Sequence, residues 1–352
     1  QVALQPDAPV SAPGPFGEMQ VALAADTTAV REMAAVVTVP GGFAGRTGDG
    51  EVWVSSEGVG WRTLPGPGGA VISVVEDTAG PGVVTIADGA VSAASLDAAT
   101  NTWRSRVLLA DGVAAIAADD IVVSGGRVFL AGWTEGSFEP FTWWEGSGRE
   151  PSPMPWPADA EAMYFPTRHG VGALITNQPG AGAMWHLDGG GWLAADAPVG
   201  LGGLDLLALR NLDDRLVAIA LSKPGRCDTA AVDELGCAIE TVFLTSEDGS
   251  VWSQAEVTAG ATGASGKPPW NIAVGPLGLV AWSAPPDPIV LWSRDGGVWH
   301  ATGFELPVGS PTTGTSVEWV AVGSDRVVMG LLPPRPALFR SEVLVVVARR
   351  SP

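Results

Sequence analysis

Ser55-Ser56-Glu57-Gly58-Val59-Gly60-Trp61 is a phrase that the chain repeats. It returns as His186-Leu187-Asp188-Gly189-Gly190-Gly191-Trp192 and as Ser246-Glu247-Asp248-Gly249-Ser250-Val251-Trp252. A further copy is Ser293-Arg294-Asp295-Gly296-Gly297-Val298-Trp299. Each copy follows a short apolar run of strand character, such as Ile289-Val290-Leu291-Trp292. Recurrence at a period shorter than a domain is the signature of a repeat architecture.

Placing the runs before each phrase in register gives seven strand pairs. They are 43–45 with 52–54, 83–87 with 90–95, 127–133 with 141–144, 172–176 with 183–186, 216–220 with 241–245, 278–282 with 289–292, and 326–331 with 343–347. A further apolar run precedes each pair, as at 71–75, 206–209 and 319–322, and a short segment opened by Trp often follows. Each unit therefore has four strands, here called a to d. From Trp61 to Trp103 is 42 positions, and from Trp103 to Trp192 is 89, or two units. From Trp192 to Trp252 is 60, because unit five carries an insertion, and from Trp252 to Trp299 is 47. Four short strands at such periods predict an all-β fold, a seven-bladed β-propeller with four-stranded antiparallel blades. The seventh unit offers three strands, and a spare strand stands at 20–25, so that strand is predicted to complete blade seven and close the fold. The propeller domain is then 20–352, with the insertion at 222–240 in blade five.

In the phrase, Asp or Glu and Gly fall where strand c turns into strand d. Gly accepts the positive φ of a tight hairpin, and Asp binds nearby amides. Trp covers the turn and anchors a small core. Glu57 with Trp61, Asp97 with Trp103, Asp188 with Trp192, Asp248 with Trp252 and Asp295 with Trp299 are thus read as structural hairpin caps.

The phrase resembles the Asp-box, or bacterial neuraminidase repeat, whose usual form is Ser-x-Asp-x-Gly-x-Thr-Trp. The four copies here are one residue shorter and lack the Thr. Unit two reads Ser95-Leu96-Asp97-Ala98-Ala99-Thr100-Asn101-Thr102-Trp103 and resembles a kelch blade more closely. Asp-box propellers include sialidases, other glycosidases, sorting receptors and photosystem assembly factors. The resemblance implies that the box is structural and sits away from any active site, so it speaks for fold and not for activity.

Composition narrows the function classes. The 352 residues are 46% hydrophobic and 16% charged, with 15 Trp against one Tyr. Net charge is −19, and two of the 19 basic residues are Lys. Such a surface repels phosphate backbones and anionic lipid, so no nucleic acid partner is expected. No run of 18 apolar residues exists, so no membrane insertion is expected. Residues 1–19, rich in Pro and Gly, read as a linker or the start of a mature chain. Cys227 and Cys237 lie ten positions apart in the unit-five insertion; a disulfide there implies an oxidising compartment, and two free thiols are the alternative.

Catalytic groups are sparse. A sialidase-like site needs converging arginines, a Tyr nucleophile with a Glu partner and an acid/base carboxylate. The single Tyr is Tyr164, with Glu161 before it and Arg168 after it, and Arg46 ends strand b of blade one. No catalytic residue is assigned. His169, His186 and His300 fall in different blades without metal-ligand spacing. Asp119-Asp120 and Asp213-Asp214 precede strand b in blades three and five and read as a–b turn residues. No cofactor is expected, with calcium as the alternative at those pairs.

Binding is expected on the end of the fold formed by the b–c and d–a loops, where loops that do not repeat sit on a rigid scaffold. The candidate contacts there are Trp133 and Trp282 at equivalent strand-b ends, Trp270 in a d–a connection, Arg226 in the insertion, Arg46 and Tyr164. The reading is a secreted, extracellular or periplasm-like module, tethered through its N-terminus, that binds a protein or a surface glycan. A glycan-active hydrolase or lyase is the alternative, and a structural subunit of an extracellular assembly is the third reading.

Overall fold

The computed structural model describes residues 16–23, 33–77, 80–97, 99–116, 120–124, 126–137, 139–145, 152–157, 160–167, 170–176, 184–188, 191–222, 240–258, 270–283, 289–301, 316–332 and 344–350. Strand β1 is Phe16–Leu23. Blade one follows as β2 (Met33–Val39), β3 (Gly42–Thr47), β4 (Val52–Ser55) and β5 (Arg62–Thr63). Blade two is β6 (Ala70–Asp77), β7 (Gly80–Ala87), β8 (Ala90–Asp97) and β9 (Thr102–Leu109). Blade three is β10 (Val113–Ala115), β11 (Ile121–Ser124), β12 (Arg127–Thr134), β13 (Pro140–Trp144) and β14 (Ser152–Pro153).

Blade four is β15 (Ala162–Thr167), β16 (Gly170–Ile175), β17 (Met184–Asp188) and β18 (Gly191–Ala194). Blade five is β19 (Leu204–Leu212), β20 (Arg215–Ser222), β21 (Glu240–Ser246) and β22 (Ser253–Gln254). After β23 (Glu256–Val257), blade six is β24 (Trp270–Gly275), β25 (Gly278–Ser283), β26 (Val290–Ser293) and β27 (Val298–Ala301). Blade seven is β28 (Ser316–Val322), β29 (Arg326–Leu332) and β30 (Leu344–Arg350), completed by β1.

The protein is an all-β, seven-bladed β-propeller of four-stranded antiparallel blades. Its residues fall into two compact units: Gln1–Ala158 with Gly275–Leu277 and Glu305–Pro352, and Asp159–Val274 with Gly278–Phe304. The first holds blades seven, one, two and three, and the second holds blades four, five and most of blade six.

The predicted closing strand forms, but with shifted bounds. β1 pairs antiparallel with β30, from Phe16 opposite Arg350 to Leu23 opposite Leu344. It begins inside the stretch read as a linker, because the seven residues of β30 find partners from Phe16 to Leu23, with one irregularity between Phe16 and Glu18.

Strand b is the most buried strand of a blade. Every residue of β16 and of β25 is buried. A sheet covered on both faces loses the alternation of a half-exposed strand, which is why these segments read as continuous apolar runs. The core is accordingly divided into clusters between neighbouring blades. Phe43, Trp53 and Trp61 of blade one pack with Trp319, Val328 and Val347 of blade seven. Val217, Ile219 and Phe243 of blade five pack with Leu279, Leu291 and Trp299 of blade six.

Three copies of the phrase share one geometry. Ser55 Oγ accepts the Gly58 N–H at 2.8 Å, and Trp61 Nε1–H donates to Gly58 O at 2.8 Å. Ser246, Gly249 and Trp252 repeat these bonds at 2.9 and 2.8 Å, and Ser293, Gly296 and Trp299 at 2.9 and 3.0 Å. The Trp does more than cover its own turn, because it enters the preceding blade. Trp61 meets Trp319 edge-on at 5.8 Å, and Trp299 lies 4.7 Å from Phe243. The Gly is needed for the same reason. Gly58 holds φ at 86°, and a Cβ there would sit 2.5 Å from Val328 Cγ2 of blade seven. Gly296 stands in the same relation to Val217 of blade five.

The copy at 186–192 departs from this pattern. Leu187 pairs with Trp192 and His186 with Leu193. In blade five the ladder runs Leu244 to Gln254 and Thr245 to Ser253, which places Ser246 opposite Trp252. Blade four is thus one residue out of step, and a one-residue slip turns a side chain to the other face. His186 stands where the other copies have Ser, so the hydroxyl that accepts the glycine N–H is missing. Trp192 is only half-buried and lies 6.4 Å from Tyr164.

Unit two also differs from the phrase. Asp97 accepts the Ala99 and Thr100 N–H groups at 3.0 and 3.4 Å and pairs with Arg104. The Ala99 amide first, with Thr100 and Arg104, holds its carboxyl below the usual 3.8. Trp103 donates to Pro65 O at 2.6 Å in the connection from blade one.

Connections between blades follow a rule absent from the sequence reading. Val199, between blades four and five, bridges in parallel to Val251 beside Trp252. Its N–H donates to Ser250 O at 2.7 Å, and its carbonyl accepts the Trp252 N–H at 2.9 Å. Likewise β23, leaving blade five, pairs in parallel with β27, the outer strand of blade six. Each latch holds the phrase of the following blade.

Candidate binding surface

At the b–c and d–a end, the turns of blades one to three form a hydrogen-bonded rim. In blade one, Thr47 Oγ1 accepts the Glu51 N–H at 3.0 Å and bonds to Asp49 Oδ1. The Thr47 hydroxyl holds the exposed Asp49 carboxyl below the usual 3.8. Glu51 Oε2 accepts the Trp53 indole N–H at 3.1 Å. In blade two, Asp88 at φ 51° and Gly89 at φ 77° make the tight turn, and Gly89 O accepts the Val113 N–H at 3.1 Å. Gly112 O in turn accepts the Glu135 N–H at 2.8 Å, which ties in the b–c turn of blade three. Thr134 Oγ1 accepts the Glu139 N–H at 3.0 Å and closes that turn.

This rim exposes Asp49, Glu51, Asp88, Asp111, Glu135 and Glu139. Among the described residues of these turns the basic side chain is Arg46, half-buried, whose Nη1 donates to Val71 O at 3.2 Å. Beside the acids, Trp133 is 41% exposed, although its strand neighbours Gly132 and Ala131 are buried. Six exposed carboxylates therefore stand at one end of blades one to three, next to an uncovered aromatic. The acids of blades one and two were not singled out from the sequence. The available signal was an Asp or Glu in the b–c turn of three successive units.

The other expected contacts divide. Trp282 is 7% exposed and belongs to the core, so it is not a surface counterpart of Trp133. Both strand ends are closed alike, with the Glu139 N–H bonded to Thr134 Oγ1 at 3.0 Å and the Ile289 N–H bonded to Ser283 Oγ at 2.8 Å, so equivalent positions differ in the burial of the indole alone. Trp270 opens strand a of blade six as the first residue of β24, not a d–a connection. Tyr164 is in the middle of β15, half-buried against Trp192, a packing position and not that of a free nucleophile. Arg226, Cys227 and Cys237 lie outside the described residues, as do Arg168 and His169.

Asp213, at φ 52°, and Asp214 occupy the a–b turn of blade five as expected. Asp119 lies outside the described residues, and Asp120 is not in the a–b turn of blade three. Strand a there is split into β10 and β11, and Asp120 sits at the break, while the turn runs from Ser124 to Arg127. Among the described residues no three His, Cys, Asp or Glu side chains converge as metal ligands. Among the same residues no helix is long and apolar enough to cross a membrane.

At the opposite strand ends, a shallow cleft of ≈ 380 Å³ lies between the a–b turns of blades one and seven. Pro40, Phe43, Ser56, Ser324, Asp325 and Arg326 contribute to its lining. Asp325 takes Arg326 Nε and Nη2 at 2.8 and 2.6 Å, and with Glu57 farther away it raises the Arg326 pKa. In the second unit Arg215 holds the same strand-b start and reaches Asp295 O at 3.2 Å and Oδ2 at 3.6 Å. The acidic position of the phrase thus faces an arginine of the preceding blade in both units.

No protein-family model matches the sequence, and no curated protein matches it. Solved structures match in fold. The structure of YCF48 bound to D1 peptide superposes with a TM-score of 0.52 at 12% identity, covering 96% of this chain and 98% of that one. The WD40 β-propeller domain of Doa1 gives a TM-score of 0.46 at 16% identity, covering 91% and 94%. The phage phi92 endosialidase gives 0.43 at 8% identity, covering 95% of this chain and 69% of that chain. At these identities the likeness is one of fold.

Proposed function

We propose that this propeller is a non-catalytic binding module that takes a protein partner through the b–c and d–a end of its blades. The observation that carries the reading is the rim of six exposed carboxylates around the exposed Trp133. A partner surface with Lys or Arg around an apolar or cationic anchor is its complement, because an indole face attracts both. The long-range field of such a rim speeds encounter with a basic partner. YCF48, whose fold this chain shares, is seen with a D1 peptide bound, which is in keeping with peptide or protein recognition by a propeller of this kind. Kinship with Asp-box propellers belongs to the same proposal and is supported by the Ser-to-Gly and Trp-to-Gly bonds of three blades.

The insertion at 222–240, with a disulfide between Cys227 and Cys237, would add a second contact on this end. That pairing is the basis for proposing a secreted or cell-surface location. A surface glycan is the second reading, favoured by the uncovered indole of Trp133. Affinity purification with the native chain, with Trp133→Ala and with Glu135→Lys/Glu139→Lys tests the assignment. The expected result is loss of partner recovery in both variants at unchanged melting temperature. Equal recovery by all three chains would overturn it. Recovery that also disappears after glycosidase treatment of the partner fraction would favour the glycan.

A further inference from the structure

The outer edge of blade two is longer than those of blades one, three, four, five and six, and as long as that of blade seven, formed by β1. The outer strands β5, β14 and β22 have two residues each, and β18 and β27 have four. β9 has eight, and Arg104, Ser105, Arg106 and Val107 are exposed in succession. Val107, at 67%, has the greatest exposure among the large apolar residues described. A terminal strand leaves every second N–H and C=O without a ladder partner, which is a template for another strand.

The fold covers two of its outer edges itself, with Val199 in blade five and β23 in blade six. Blade two is not covered in that way. Its incoming connection contains Pro65 and Pro67, which have no N–H to give to a ladder. The contact that forms is the Trp103 indole bonded to Pro65 O, at the start of β9. Among the described residues no strand pairs with the rest of the edge.

Charge selects the occupant. On a chain of net charge −19, this edge presents two arginines on one side of the strand. Arg104 is paired with Asp97 yet 79% exposed, and Arg106 is paired with Glu145 and 45% exposed. A second copy adding antiparallel would bring arginines close to arginines, which is destabilising across strands. A strand carrying carboxylates opposite the arginines and apolar side chains beside Val107 has no such conflict. We propose that the outer edge of β9 is a strand-addition site for an extended segment of a partner protein that alternates acidic and β-branched apolar residues. This site is separate from the rim at the b–c end.

The probe is a labelled octapeptide alternating Glu with Val, followed by fluorescence anisotropy against the full chain. Two N-methylated forms, each blocking one alternate set of amides, and the protein variant Arg104→Ser complete the test. Saturable binding is expected. One N-methylated form should weaken it at least ~10-fold, as loss of two or three net hydrogen bonds requires, and the other should bind within about twofold. Arg104→Ser should weaken it several-fold, and added salt should do the same. Equal binding by both N-methylated forms, or no change with Arg104→Ser, would overturn the proposal. So would failure to saturate at millimolar peptide.

Discussion

Replacing Trp299 by alanine tests whether the repeated phrase holds blades together or only caps a turn. The side chain is fully buried, lies against Phe243 of the preceding blade and donates to the buried Gly296 carbonyl at 3.0 Å. Large-to-small truncation of such a residue costs about 3–5 kcal/mol. Leaving the Gly296 carbonyl without its donor adds about 1 kcal/mol or more. The expected loss is therefore about 4–6 kcal/mol. Trp299→Phe keeps most of the ring volume and loses the donor, so about 1–2 kcal/mol is expected. Trp192, whose register is slipped, is only half-buried, and its alanine variant should cost about 1–2 kcal/mol. Denaturant unfolding followed by far-UV circular dichroism gives the three values. Hydrogen exchange locates the damage, because the Glu256 and Thr258 amides bond to Gly297 O and Trp299 O at 2.9 Å and should lose protection in Trp299→Ala. Equal costs for Trp299→Ala and Trp192→Ala, or unchanged protection at 256 and 258, would refute the reasoning.

Gly58→Ala places a Cβ 2.5 Å from Val328 at a φ that L residues rarely adopt, so a loss of about 2–4 kcal/mol is expected in the same unfolding assay. Val199→Pro removes the donor to Ser250 O and should lower stability by about 1–2 kcal/mol, with exchange at Trp252 N–H rising. Asp248 accepts the Ser250 hydroxyl at 2.6 Å and N–H at 2.8 Å, and these bonds hold its carboxyl below the usual 3.8. Its folded pKa is depressed, so the stabilisation is present above 3.8 and disappears as pH falls through the folded value. Melting curves for Asp248→Asn should show a shallower decline below pH 4 than the native chain.

Blade number was legible because each unit pairs a buried strand b with a strand c that ends in a recognisable turn. The binding of turn amides by Asp248 and Asp295 followed from Gly at the next position. Two local errors have one origin, which is that alignment by residue type assumes constant surroundings. His186 lacks the serine hydroxyl, and the ladder there shifts by one residue. Trp282 aligns with Trp133, and a hydroxyl closes both strand ends, yet one indole is buried and the other exposed. The division of strand a at Asp120 carries no compositional mark. The acidic rim was present in the sequence at Asp49, Asp88 and Glu135. It was missed because these turns were read one at a time, whereas their meaning lies in the addition of fields from three adjacent blades. Loops 223–239 and 284–288, on which much of the expected site rested, lie outside the described residues.

The pairing of β1 with β30 has a consequence for biosynthesis. Phe16–Leu23 leaves the ribosome early, and its partner Leu344–Arg350 emerges some 320 residues later. Until then Phe16–Leu23 waits without its ladder, so blade seven is completed after the strands of the other blades have been made. The same arrangement makes the chain divisible. A chain starting at Met33 and a separate Phe16–Leu23 peptide together hold every strand among the described residues, and the peptide would report assembly of the rest by its own ordering.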